Sequence, residues 1–191
     1  MEEKELVERL KRGDDLAYRE VIKRYGKKMF GLIFSMTKKR DETEEIMQEV
    51  FLKVIKYIKD FREDSLFSTW LFRITVNTAL SYIKRKKKKK ESLISELKRD
   101  EKDRIDFEDK EIKASDETLE REERRKIVQE AIESLPQSYK IAIILKDIER
   151  MPLTEVAKVL KLSEGGTKVR LHRARLLLKK KLQPLVERGE V

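Results

Sequence analysis

The chain has 191 residues and a formal net charge of +10 at pH 7, with 44% charged and 39% hydrophobic side chains. That balance favours thin-cored helical units over one thick-cored domain, and the positive excess suits a polyanionic partner. The absence of cysteine excludes disulfides, thiolate nucleophiles and iron–sulfur clusters, and one histidine leaves little for a zinc site or a Ser-His-Asp triad, so no cofactor is expected.

The opening MEEKELVERLKRGDD has neither an apolar signal core nor an acid-poor transit pattern. No apolar run approaches the roughly 20 residues of a membrane span, so a cytoplasmic location is expected. Apolar residues recur at helical spacing and no strand-like alternation is sustained, which predicts an all-α fold. A short helix is expected over 3–12. A longer one over 16–37 carries Leu16, Tyr18, Val21, Ile22, Tyr25, Met29, Phe30, Ile33 and Phe34, with Asp14 or Asp15 available as N-cap. The next opens at DETEE, where Asp41 and Glu44 have capping-box spacing, and continues through Ile46, Val50, Val54 and Ile58. After FREDSLF, Ser68 is placed to cap a third helix whose buried side is read as Trp70, Leu71, Ile74, Leu80 and Ile83. Trp70 and Phe72, two residues apart on such a helix, point about 160° apart, so the two are not both expected to be buried.

Composition then changes. KRKKKKK over 84–90 is an unbroken basic run, and 91–123 holds fourteen acids against seven Lys and Arg. Sparse, aperiodic apolar residues there bury too little to offset ordering entropy, so 91–123 is read as a mobile acidic linker. The chain thus divides into a bundle over 1–90, the linker, and a second unit over 124–191 with helical stretches at 126–135, 138–149, 154–160 and 163–181.

The last two stretches form the sharpest pattern. LTEVAKVL is a short helix, KLS a tight connection, and EGGTKVRLHRARLLLKKKL a longer basic helix capped by Ser163. A short helix, a tight turn and a longer basic helix make a helix-turn-helix, whose second helix enters the DNA major groove. Ala157 suits the close crossing, and Val156, Leu160, Leu162, Thr167 and Leu171 the inner seam. The leucines are expected on the domain side, with Lys168, His172, Arg173 and Arg175 facing outward. Arginine reads guanine O6 and N7 with paired hydrogen bonds, whereas lysine neutralises phosphates. The third helix joins Arg73, Asn77, Lys84 and Arg85 to Phe67, Trp70, Phe72 and Tyr82; aromatics beside cations can stack unpaired bases and hold their backbone.

These segments, in this order, resemble a bacterial sigma factor of the extracytoplasmic-function (ECF) type, which keeps only the second and fourth conserved regions. DETEEIMQEVFLKVIKYIKDF is similar to the segment that docks on the clamp coiled coil of core RNA polymerase. SLFSTWLFRITVNTALSYIKRK is similar to the segments that melt and read the −10 element, and AIESLPQSYKIAIILKDIERMPLTEVAKVLKLSEGG…RLHRARLLL to the −35 reader. The resemblance implies polymerase contacts at Asp41, Glu45, Gln48, Glu49, Phe51 and Leu52. It implies −10 contacts at Phe61, Ser65, Phe67, Trp70, Arg73, Asn77, Lys84 and Arg85, and −35 contacts at Lys168, Val169, Arg170, His172, Arg173 and Arg175. It further implies core RNA polymerase (clamp coiled coil and flap), promoter DNA and an anti-sigma factor as partners, the last able to hold the chain at the membrane, with no insertion of its own. The linker would thread through the polymerase.

The sequence departs from the family at four positions. Thr167 replaces a seam valine, and Val169 a small polar residue. Arg150 and Lys161 stand where glycines commonly end the two preceding helices. A non-glycine residue in a left-handed cap costs about 1 kcal/mol, so those two turns are expected to be built differently. A stand-alone helix-turn-helix regulator would need a dimer interface and a ligand or phosphoacceptor domain, which the N-terminal unit does not resemble. An antagonist mimicking a sigma factor would not need the basic, aromatic face around Arg73 and Asn77. With no convergent catalytic set or phosphate loop, a non-enzymatic role is expected.

Overall fold

The computed structural model describes residues 2–96 and 116–187, with side chains for 2–89 and 124–187. The helices are α1 (Glu3–Lys11), α2 (Asp15–Thr37), α3 (Arg40–Tyr57), α4 (Phe67–Glu96), α5 (Asp116–Glu133), α6 (Gln137–Ile143), α7 (Leu153–Leu160) and α8 (Glu164–Glu187). A 3-10 turn at Ile58–Asp60 closes α3, and a π-helical turn at Ile144–Ile148 prolongs α6. The expected linker overlaps the end of α4 and the start of α5; its middle, 97–115, lies outside the described residues.

In the first half, α2, α3 and α4 pack on one another and α1 lies on α2. Each contributes a stripe: Leu6, Val7 and Leu10 from α1, Ala17, Val21, Met29, Leu32 and Ile33 from α2, and Ile46, Val50 and Val54 from α3. Such side chains supply about 1.5–3 kcal/mol each when fully buried, the main return against ordering the helices. Asp14 caps α2 by accepting from the Leu16 N–H at 2.8 Å. The expected capping box on α3 does not form. That helix starts at Arg40, Glu44 pairs with Arg40 at 2.9 Å, and the turn is held by the Thr43 hydroxyl donating to the Lys39 carbonyl at 2.8 Å.

Helix α4 departs furthest from its sequence pattern. Ser68 does not cap it: the Phe67 N–H donates to Glu3 Oε1 of α1 at 2.9 Å, so the first orphan donor is satisfied from elsewhere in the bundle. Trp70 and Phe72 are both buried, because α4 is covered by α2, α3 and, from the second half, α7. Leu80 is exposed; Val76 and Ala79 take the core positions instead.

The second half closes around Leu135, Ile141, Ala142, Leu145, Val156, Val159, Leu171 and Ala174. Both turns expected to differ for lack of glycine are in fact left-handed, with Arg150 at φ 56° and Lys161 at φ 54°. At Lys161 the Leu162 N–H reaches the Ala157 carbonyl at 3.0 Å and the Lys161 N–H that of Lys158 at 3.4 Å, the paired bonds of a Schellman ending. Those bonds hold the lysine in a conformation it disfavours.

Candidate nucleic-acid interface

Three surfaces carry the sequence-derived residues. The first is the outer face of α8. The Gly166 N–H donates to Ser163 Oγ at 3.0 Å, so the expected cap is present. Thr167, fully buried in the seam, turns its hydroxyl back onto the Ser163 carbonyl at 2.9 Å; the extra polar atom is thus satisfied within its own helix. Lys168, Val169, His172 and Arg173 are exposed at positions i, i+1, i+4 and i+5 of one face, and Arg170 is half-buried. Arg175 is exposed but engaged: its Nε and Nη2 donate to both Asp147 oxygens, at 3.1 and 2.6 Å, which raises its pKa further. Asp147 lies in the π turn, where the Glu149 N–H reaches the Ile144 carbonyl. The leucines of α8 do not all face the domain. Leu171 is buried and Leu178 half-buried, but Leu176 and Leu177 are exposed, since three consecutive residues span too wide an arc to share one buried stripe.

The second surface surrounds the start of α4. Phe61, Phe67 and Trp70 form an aromatic cluster with ring centroids 5.3 to 6.1 Å apart, and Tyr25 meets Phe67 edge-on at 6.0 Å. A cavity of about 320 Å³ brings together Phe61, Ser65, Trp70 and Arg73 with Asp60, Arg62, Asp64 and Lys158. Phe67 is wholly buried beneath it as a supporting ring. Asn77 and Lys84 continue the Arg73 stripe at helical spacing, exposed and outside the cavity. Arg85 turns away from that stripe and pairs with Glu49 at 2.8 Å.

The third surface is on α3. Asp41, Glu45, Gln48 and Leu52 form one stripe opposite the Ile46–Val50–Val54 core, and Leu52 is 67% exposed. Ile55, 52% exposed, extends it and was absent from the sequence-derived set, although its phase one turn beyond Leu52 marks it. Phe51 is half-buried. Glu45 accepts from the Tyr82 hydroxyl at 2.7 Å, which with burial pushes the tyrosine pKa up to about 12. Burial opposes ionisation of Glu49, but Lys53 and Arg85 outweigh it and hold its pKa below the usual carboxylate range. Among the described residues no cluster of His, Cys, Asp and Glu could hold a metal ion, and no helix is long and apolar enough to cross a membrane.

A family model described as Sigma-70 region 2 matches residues 21–89, and one described as Sigma-70, region 4 matches residues 125–178. The ECF RNA polymerase sigma-E factor of Escherichia coli (strain K12) is 34% identical over 190 residues, covering 96% of this chain and 95% of the relative. The RNA polymerase sigma-H factor of Pseudomonas aeruginosa is 30% identical over 195 residues, covering 97% and 96%. Among solved structures, CnrH in complex with the cytosolic domain of CnrY aligns with a TM-score of 0.66 at 22% identity, covering 95% of this chain and 97% of that one. The sigma factor RpoE in complex with the anti-sigma factor NepR from Bartonella quintana aligns at 0.66 and 18%, covering 87% and 96%. The chain therefore belongs to the sigma-70 family, as an ECF-type sigma factor. It is an alternative sigma factor, a DNA-binding transcription-initiation factor that directs RNA polymerase to promoters.

Proposed function

We propose a division of labour among the three surfaces. The stripe of Asp41, Glu45, Gln48, Glu49 and Leu52, with Phe51 beneath and Ile55 beyond, docks on the polymerase clamp. Phe61, Ser65 and Trp70 receive an unpaired −10 base over Phe67, while Arg73, Asn77 and Lys84 hold the strand. Lys168, Val169, His172 and Arg173 enter the −35 major groove. Arg170 contacts its backbone, while Arg175 reaches DNA only on leaving Asp147, and Arg85 only on leaving Glu49. The observation that carries this reading is the placement of an aromatic-lined cavity with an arginine on one half of the chain and an exposed basic helix-turn-helix face on the other.

The domain limits that fit are 1–90 for region 2, 91–123 for the linker and 124–191 for region 4. The chain acts by binding rather than catalysis, in the cytoplasm, and the polymerase flap is the second core contact. An anti-sigma factor is the expected regulator, supported by the two solved complexes that share the fold. Run-off transcription with purified core polymerase on a promoter library tests the reading. A promoter-dependent transcript sharing −35 and −10 motifs is expected; a folded chain that yields none with its own organism's core overturns it.

A further inference from the structure

The loop 61–66, between the 3-10 turn and α4, brings Phe61 and Ser65 to the aromatic-lined cavity, and Phe67 opens α4 beneath it. Phe61 is buried, but Arg62, Glu63, Asp64 and Leu66 are exposed, so the loop gains little hold from packing of its own side chains. It is tied instead to α1 at two points. Glu3 Oε1 accepts from the Phe67 N–H at 2.9 Å, across 64 residues of sequence. Lys11 Nζ meets Glu63 Oε1 at 3.5 Å.

Between the two ties the loop stands off the helix. A second cavity, of about 190 Å³, lies there, lined by Glu3, Lys4 and Val7 of α1 and by Phe61, Ser65 and Leu66. Phe61 and Ser65 line both cavities, so the loop is the partition between them. Glu63 holds φ 60°, a left-handed conformation that an L side chain disfavours. Such strain persists where surrounding contacts hold it, and Lys11 supplies one on the Glu63 side chain. Helix α7 also reaches the loop, with Lys158 donating to the Asp64 carbonyl at 3.3 Å, but α1 belongs to the same bundle as the ring cluster. Glu3 and Lys11 lie about 12 Å apart along one helix axis, so a single rigid element sets both the middle and the end of the loop. A pocket discriminates between ligands only while its walls keep their place to within about 0.5 Å.

We propose that Glu3 and Lys11 are positioning residues for −10 recognition. From α1, without touching the strand, they hold loop 61–66 at the setting in which Phe61 and Ser65 discriminate the extruded base. The proposal rests on the reading of the cavity at Phe61 and Trp70 as the −10 site.

Holoenzyme assembled from the full-length chain and core polymerase is titrated with forked promoter DNA, a −35 duplex carrying an unpaired −10 strand. Each −10 base is replaced in turn. Wild type should bind the parent DNA about tenfold more tightly than DNA replaced at the extruded position. Glu3→Ala should cut that ratio severalfold and leave the ratio for −35 substitutions unchanged. Glu3→Gln still offers Oε1 to the Phe67 N–H and should restore the wild-type ratio. Glu63→Gly releases both the left-handed strain and the tie to Lys11. It should leave the melting temperature level or higher and still lower the ratio severalfold, as should Lys11→Met; a purely structural role would not separate the two readouts. A wild-type ratio in either Glu3→Ala or Glu63→Gly, or a loss in Glu3→Ala that Glu3→Gln does not restore, overturns the positioning role and leaves the −10 reading standing. A wild type that discriminates at no −10 position removes that reading and the proposal with it.

Discussion

Lys161 shows how a single residue can be out of keeping with its position without changing the fold. Its left-handed backbone is held by the two hydrogen bonds that end α7, so glycine should relieve strain there. Lys161→Gly is expected to stabilise the chain by about 0.5–1 kcal/mol, measured by denaturant unfolding, because the relieved strain exceeds glycine's added unfolded entropy. Arg173 makes a functional test at the same scale. It is exposed and, among the described residues, has no acidic partner like the one that holds Arg175. Arg173→Ala should remove about 1–3 kcal/mol of base discrimination at the −35 element while core-polymerase binding stays unchanged. Equal loss of both in a competition binding assay would contradict the division of labour.

At the scale of helices, the two expected caps that form, Asp14 and Ser163, act on N–H groups two or three residues away. Ser68 has the same chemistry but lies inside α4, whose first N–H is served by Glu3, distant in sequence. The joint burial of Trp70 and Phe72 was equally illegible, since periodicity within α4 carries no record of α7 lying across it. The π turn at Ile144–Ile148 shifts one hydrogen bond without altering composition, yet it sets Asp147 against Arg175. The positions proposed for the three surfaces were nameable from the sequence because the family pattern marks their order, whereas the pairs that occupy Glu45, Glu49 and Arg85 depend on where α3 meets α4. One of these pairs has a pH signature. Tyr82 keeps its proton through Glu45, with its pKa moved from 10.0 to about 12. Its contribution to stability is therefore complete below pH 10 and lost as pH climbs toward 12. Tyrosinate absorbance of the wild type minus Tyr82→Phe should show one late-titrating group while the chain remains folded.

For the whole molecule, acid acts on the contact between the halves. Burial opposes ionisation of Glu133 and Glu155, but Lys38 and Gln129 hold the first, and Lys158, Thr69 and the Leu66 N–H the second, below the ordinary 4.5. Lys140 also stabilises the Glu133 carboxylate. Folded values below the unfolded one mean a contribution that is complete above pH 4.5 and lost as pH falls through the depressed values. Unfolding free energies of the wild type and Glu133→Gln/Glu155→Gln should therefore differ at pH 7 and converge as pH falls below 4.5.

The depth of Lys140 and Glu155 has a consequence outside the protein. Dissolved ions screen exposed charges and reach buried ones poorly, so salt weakens the Lys28–Glu149 pair more than the contacts of Lys140 and Glu155. DNA binding releases condensed counterions and weakens steeply over the same range. Raising the salt concentration thus weakens the hold of the exposed basic face on DNA while leaving the buried Lys140 and Glu155 contacts largely in place.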